Sequence, residues 1–115
     1  MNTVIYHNPR CSKSRQALSL LEEAGVQAQV VRYLDTPPSE EDLDQLLKKL
    51  NLEPIDVMRQ QDDLFKELGL VGKPLTRAEG LRLLAEHPAL LERPIVVAGD
   101  KAVVARPPER VREIL

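Results

Sequence analysis

The opening of the chain is what most constrains its fold. Thr3-Val4-Ile5-Tyr6 is a short β-rich run, stopped by the turn chemistry of His7-Asn8-Pro9. From Ser12 the spacing turns helical. Ala17, Leu20, Leu21 and Ala24 fall on one face, and Gly25 stands where a C-terminal cap glycine belongs. Gln29 to Leu34 then reads as a second strand, ended by Asp35-Thr36-Pro37-Pro38. A strand, helix, strand unit of this length favours parallel pairing through a right-handed crossover. The chain therefore starts as a βαβ unit.

A helical middle follows. Ser39 with Asp42 forms a capping signal ahead of Leu43, Leu46, Leu47 and Leu50, which repeat at i, i+3, i+4 and i+7. Shorter helices are expected over Ile55 to Gln60 and Leu64 to Leu68. Thr76 and Glu79 match a capping box for a further helix, which His87-Pro88 closes. Ile95 to Ala98 and Ala102 to Ala105 then bracket Gly99-Asp100-Lys101 as a hairpin, and Pro107-Pro108 starts a last short helix with Val111, Ile114 and Leu115 facing inward. The order β-α-β, helices, β-β-α is that of a thioredoxin-like (glutaredoxin-like) α/β domain with a mixed four-stranded sheet. We expect one domain over residues 1–115, with a helical insertion at about 39–92. In such a fold a reactive cysteine usually begins the first helix and a proline precedes the third strand. Cys11 and Pro94 occupy those places, and the peptide before Pro94 is a candidate for the cis form.

Composition limits the function classes. A chain of 115 residues with 43% hydrophobic content suits a single core. The formal charge is -2, Trp is absent, and only three aromatics are present, two Tyr and one Phe. No basic patch or stacking platform argues for nucleic acid. No run approaches the ~18 apolar residues of a membrane span, and the strand-like residues after Met1 lead us to expect no signal segment. A cytoplasmic protein, monomeric and without a membrane, is the expectation. Two separated histidines are too sparse for a zinc site, so no metal is expected.

Cys11 is the only cysteine. It cannot form an internal disulfide, and one unpaired thiol agrees with a reducing compartment. Free N–H groups at the helix start, the positive end of its dipole, and Arg10, Lys13 and Arg15 nearby all favour thiolate over thiol. A lone cysteine is commonly just a small buried apolar residue. The strand-to-helix placement and the flanking charge favour the nucleophile.

The chain resembles the ArsC family, the arsenate reductases that depend on glutathione and glutaredoxin. The matching segments are His7 to Arg15, Tyr33 to Pro38, Glu67-Leu68-Gly69-Leu70, Arg93 to Val97 and Arg106-Pro107. The resemblance implies that Cys11 is the nucleophile, that His7 and Ser14 help to stabilise its thiolate, and that Arg59, Arg93 and Arg106 bind the oxyanion. It also implies arsenate or a similar oxyanion as substrate. The chain departs from the longer members by stopping at Glu113-Ile114-Leu115 and by carrying Ser12-Lys13 where the resistance enzymes resemble Gly-Thr. It looks like a short housekeeping branch.

The residues support such chemistry on their own terms. Guanidinium forks bind tetrahedral oxyanions bidentately and stay charged at every working pH. A thiolate at a helix N-terminus can attack arsenic(V), with water leaving, and glutathione can then reduce the arsenic. Without a second cysteine, an external thiol must supply electrons and a glutaredoxin must regenerate Cys11. No bound cofactor is expected. Plainer readings stand beside these. Arg93 and Arg106 flank strands, where arginines are commonly solvated. Arg59 has Asp62 and Asp63 nearby as ion-pair partners, His7 can simply pair at the strand end, and Ser14 can satisfy backbone groups in the first helical turn.

Other classes fit less well. A phosphatase-like loop needs Arg six residues after the cysteine, where Ala17 stands, and no Cys-x-x-Cys pair exists for dithiol exchange. A regulator resembling the Spx branch, which binds RNA polymerase, commonly carries a cysteine pair where this chain has Ser14. A glutathione-dependent thiol reductase or transferase of the same fold remains open beside arsenate reduction.

Overall fold

A computed structural model describes residues 2–115. Two stretches of chain, the residues up to Thr36 and Arg93–Leu115, build one compact unit, while Pro37–Glu92 build another. The first unit contains β1 (Thr3–Tyr6), α1 (Ser12–Glu23), β2 (Ala28–Val31), β3 (Ile95–Ala98), β4 (Lys101–Val104) and a 3-10 helix at Pro108–Glu113. Its mixed sheet has the order β2-β1-β3-β4. β1 runs parallel to β2, with Ile5 opposite Val30, and antiparallel to β3, with Ile5 opposite Val96. The expected sheet and the parallel βαβ opening are both present.

All four residues of β3 are buried. That explains why Ile95-Val96-Val97-Ala98 shows no polar alternation, since a central strand covered on both faces has no wet side. On one side of the sheet Ile5, Val96, Ala98 and Val103 pack with Ala17 and Leu21 of α1 and with Val111 and Ile114 at the chain's end. α1 stops in a Schellman motif: Gly25 adopts φ +75°, its N–H donates to the Glu22 carbonyl, and the Val26 N–H donates to the Leu21 carbonyl. β3 and β4 are joined by the two-residue loop Gly99-Asp100, with Gly99 at φ +61°, a conformation that such tight hairpins demand and glycine adopts without strain.

β2 is shorter than its sequence suggests. Pairing ends where the His7 N–H donates to the Val31 carbonyl, and the chain then turns, with the amides of Asp35 and Thr36 both donating to the Arg32 carbonyl. Tyr33, expected in the strand, is instead fully buried beyond its end.

The second unit holds α2 (Glu40–Leu50), α3 (Asp63–Glu67), α4 (Arg77–Glu86) and 3-10 helices at Pro54–Val57 and Pro88–Leu90. Both expected capping boxes form, Ser39 with Asp42 and Thr76 with Glu79. The helix expected over Ile55 to Gln60 shrinks to one 3-10 turn. Met58 goes extended to bridge Leu91, and the Arg59 N–H donates to the Leu90 carbonyl while the Glu92 N–H donates to that of Val57, each at 2.7 Å. Strand-like pairing here outweighs local helix propensity. α4 lies so close to the Pro54 turn that a Cβ on Gly80 would meet Pro54 Cβ at 2.5 Å. Arg77 ties this unit together through ion pairs to Asp44 at 2.8 Å and Glu53 at 2.6 Å. No described helix is long and apolar enough to cross a membrane.

Candidate active site

Cys11 is the N-cap residue of α1, with extended backbone (φ −92°, ψ 122°) that leaves its side chain at the mouth of the helix. The loop before it is tied down at several points. The Cys11 N–H donates to the Asn8 carbonyl at 3.0 Å, the Arg10 N–H donates to Asn8 Oδ1 at 3.0 Å, and the Asn8 N–H donates to Ser14 Oγ at 3.0 Å. Arg15 reaches back from α1 and donates through Nη1 to the Pro9 carbonyl at 2.8 Å. Ser14 is fully buried and lies 2.6 Å from His7 Nδ1, the proton between them belonging to either atom according to the imidazole tautomer.

The thiol's environment combines opposing influences. Burial pushes the Cys11 thiol up, but the Ser14 N–H, the Arg93 side chain and the Lys13 N–H together hold it below its ordinary value. The amides face the sulfur without closing a formal cap bond. The side-chain cation beside the sulfur is thus Arg93, from the start of β3, whereas the nearby charges picked out in the sequence serve elsewhere: Arg15 anchors Pro9, and Lys13 contributes its backbone amide. His7 is held below the ordinary imidazole value by burial first, then by the charges of Arg32 and Arg15. All three influences favour the neutral ring over the imidazolium.

Arg93 and Arg106 come together at the chain's other end. Arg106 Nη1 donates to the Arg93 carbonyl at 2.8 Å, and Arg93 Nε is buried without a hydrogen-bond partner among the described residues. Both residues precede cis prolines, Pro94 as the sequence suggested and Pro107 in addition. His7, Cys11, Ser14, Arg93 and Arg106 therefore share one unit of the fold. Arg59 belongs to the other unit, where its guanidinium meets Asp62 at 2.6 Å and Glu92 at 3.0 Å. The Asp62 ion pair was the competing reading from sequence, and it is formed.

Sequence reasoning passed over Asn8 and treated Arg15 only as a charge. The signal for Asn8 was present: an Asn-Pro step before a helix is the setting in which an Asn side chain bonds the backbone two residues on. Nothing local marks Arg15 as the partner of Pro9.

The sequence and the fold match a known group of proteins. Residues 6–114 fit the model of the ArsC family. Arsenate reductase from Neisseria meningitidis serogroup A is 56% identical over 112 residues, covering 96% of either chain. Arsenate reductase from Haemophilus influenzae is 47% identical over the full length of both. The solved structure of arsenate reductase from Vibrio cholerae superposes with a TM-score of 0.95 at 50% identity, covering 100% of this chain and 98% of that one. A cysteine at the mouth of α1, a thioredoxin-like sheet and near-complete alignment with these relatives lead to one assignment: this chain belongs to the ArsC family.

Proposed function

We propose that the protein reduces arsenate to arsenite, with Cys11 as the nucleophile and glutathione and glutaredoxin as the electron route. The observation that carries the reading is the conjunction of a thiol held below its ordinary value with the buried, unpartnered Nε–H of Arg93 beside it. A buried donor of that kind costs stability unless an acceptor meets it, and an oxyanion oxygen is such an acceptor. Arg93 and Arg106 bind the arsenate oxygens, and Arg59 is the third candidate for that set. His7 and Ser14 orient the loop that carries the thiolate.

The electron bookkeeping needs two external thiols. The Cys11 thiolate attacks arsenic(V), an oxygen leaves as water after protonation, and a sulfur–arsenic bond forms. A glutathione thiolate then attacks the Cys11 sulfur; the sulfur–arsenic bond breaks with its electron pair passing to arsenic, which leaves as arsenite. Cys11 remains joined to glutathione as a mixed disulfide. A glutaredoxin thiolate takes up that glutathione and frees Cys11, and a second glutathione restores the glutaredoxin. Such chemistry suits the reducing cytoplasm. The test is a coupled assay with arsenate, glutathione and glutaredoxin, leaving out each in turn. Full turnover only with all three supports the reading; glutaredoxin-dependent recycling of glutathionylated protein without arsenate reduction favours a thiol transferase instead.

A further inference from the structure

Next to the cysteine loop, a cavity of about 210 Å³ lies between the end of β1 and the turn after β2, lined by His7, Asn8, Arg10, Arg32, Leu34 and Asp35. His7 and Asn8 are buried, while Arg10, Arg32, Leu34 and Asp35 are exposed. Arg32 Nε pairs with Asp35 at 3.4 Å while both side chains stay more than half exposed, which leaves donors on Arg32 and acceptor capacity on Asp35 open to solvent. The Arg32 charge is felt inside, since after burial it is the next influence that lowers His7 from the ordinary imidazole value.

We propose that this cavity receives the γ-glutamyl arm of glutathione, with its α-carboxylate on Arg10 and Arg32, its ammonium on Asp35 and its thiol extended toward Cys11. The inference rests on the glutathione-dependent reading above and adds a binding site to it. Two cations beside one carboxylate complement an amino-acid zwitterion better than a bare oxyanion, which Asp35 repels. The volume is smaller than the ~300–1,000 Å³ of sites that enclose whole ligands, so one arm fits and the remainder projects out. Cys11 directly follows the lining residue Arg10 in the loop, its N–H donating to the Asn8 carbonyl at 3.0 Å, and an extended arm two residues long spans about 7 Å. A larger groove of about 400 Å³ beside Ser12, Arg15 and Gln16 is the rival site, but Glu23 and Glu109 on its walls oppose a ligand with two carboxylates.

The experiment titrates the full-length protein with S-methylglutathione, which binds without reacting, and follows backbone amides by NMR. Shifts centred on Asn8, Arg10, Arg32 and Asp35, with about ten-fold weaker binding in Arg32→Gln, are expected. In kinetics Arg32→Gln raises KM for glutathione about ten-fold and leaves KM for arsenate unchanged. With 2-mercaptoethanol, which has no carboxylate, the ten-fold rise in KM for the thiol is absent. Shifts confined to the Ser12, Arg15 and Gln16 groove, or unaltered affinity in both Arg32→Gln and Asp35→Asn, overturn the proposal. Binding at the expected amides without arsenate reduction by any thiol upholds this site while removing the reductase reading.

Discussion

Arg106 donates from its guanidinium to the backbone carbonyl of Arg93 at 2.8 Å, so two cationic residues are held side by side by a bond from one side chain to the other's main chain. The carbonyl end of that bond survives any change at the Arg93 side chain. The two guanidiniums can therefore be tested separately. Arg93→Lys or Arg106→Lys keeps the charge and loses the fork, which should cost about 1.5–3 kcal/mol of transition-state binding, read as a fall in kcat/KM for arsenate. The thermal midpoint of Arg93→Lys should stay close to wild type. Unchanged kinetics in both variants would mark these arginines as ordinary surface groups.

Cys11→Ser should abolish turnover with the fold intact, because the hydroxyl nearly matches the thiol in size and cannot form the adduct. The pH dependence follows from the direction of the shift. With the folded thiol held below its ordinary value, alkylation by iodoacetamide and kcat/KM for arsenate both rise with pH earlier than for an ordinary thiol. The thiolate's contribution to stability is fully present above the unfolded thiol's pKa and is lost as pH falls through the folded one. The stability gap between wild type and Cys11→Ser should accordingly narrow on acidification. An alkylation midpoint at the ordinary thiol value contradicts the assignment.

Ser14→Ala removes the acceptor for the Asn8 N–H and the partner of His7 Nδ1, both of them buried groups. We expect a loss of about 1–3 kcal/mol in urea denaturation, together with a Cys11 midpoint moved toward the ordinary thiol as the loop loosens. Stability and alkylation midpoint both equal to wild type would show that the hydroxyl is idle.

A helical glycine changed to alanine ordinarily gains about 1 kcal/mol. Gly80→Ala should do the opposite, because its new methyl meets the Pro54 ring at 2.5 and 2.9 Å, and overpacking of that kind costs about 1–3 kcal/mol. A higher melting temperature for Gly80→Ala would mean that the Pro54 turn yields freely.

The electron route has its own test. When glutaredoxin is withheld, turnover should stall with one glutathione on Cys11, detected by mass spectrometry, and thioredoxin should be a poor replacement. Sustained turnover with thioredoxin alone rules out the route.

Much of this architecture was legible because its signals are local. The βαβ opening, both capping boxes, the Gly99 hairpin and the place of Cys11 each rest on a few adjacent residues. What could not be read depends on partners distant in sequence. Met58 leaves its helix because Leu91 offers a bridge, and Tyr33 leaves the strand because the Arg32 carbonyl closes a turn. The cation beside the thiol is non-local for the same reason: adjacency in sequence drew attention to Arg10, Lys13 and Arg15, and the fold brings Arg93 to the sulfur as well. Arg59 found the carboxylate three positions on, as short-range pairing on a turn predicts. The family resemblance named Arg93 and Arg106 together, and their bond through a main-chain carbonyl is visible only in three dimensions.

The sheet's third strand has a consequence for the order of events during synthesis. β1 pairs with a strand that the ribosome delivers only after the whole of Pro37–Glu92 has been made, and Arg93 arrives with that strand. Closing so long a loop is slow compared with forming α1 beside it. A nascent chain thus carries Cys11 for most of its elongation with the amides of α1 beside the sulfur, and the Arg93 guanidinium joins them only once β3 has been made.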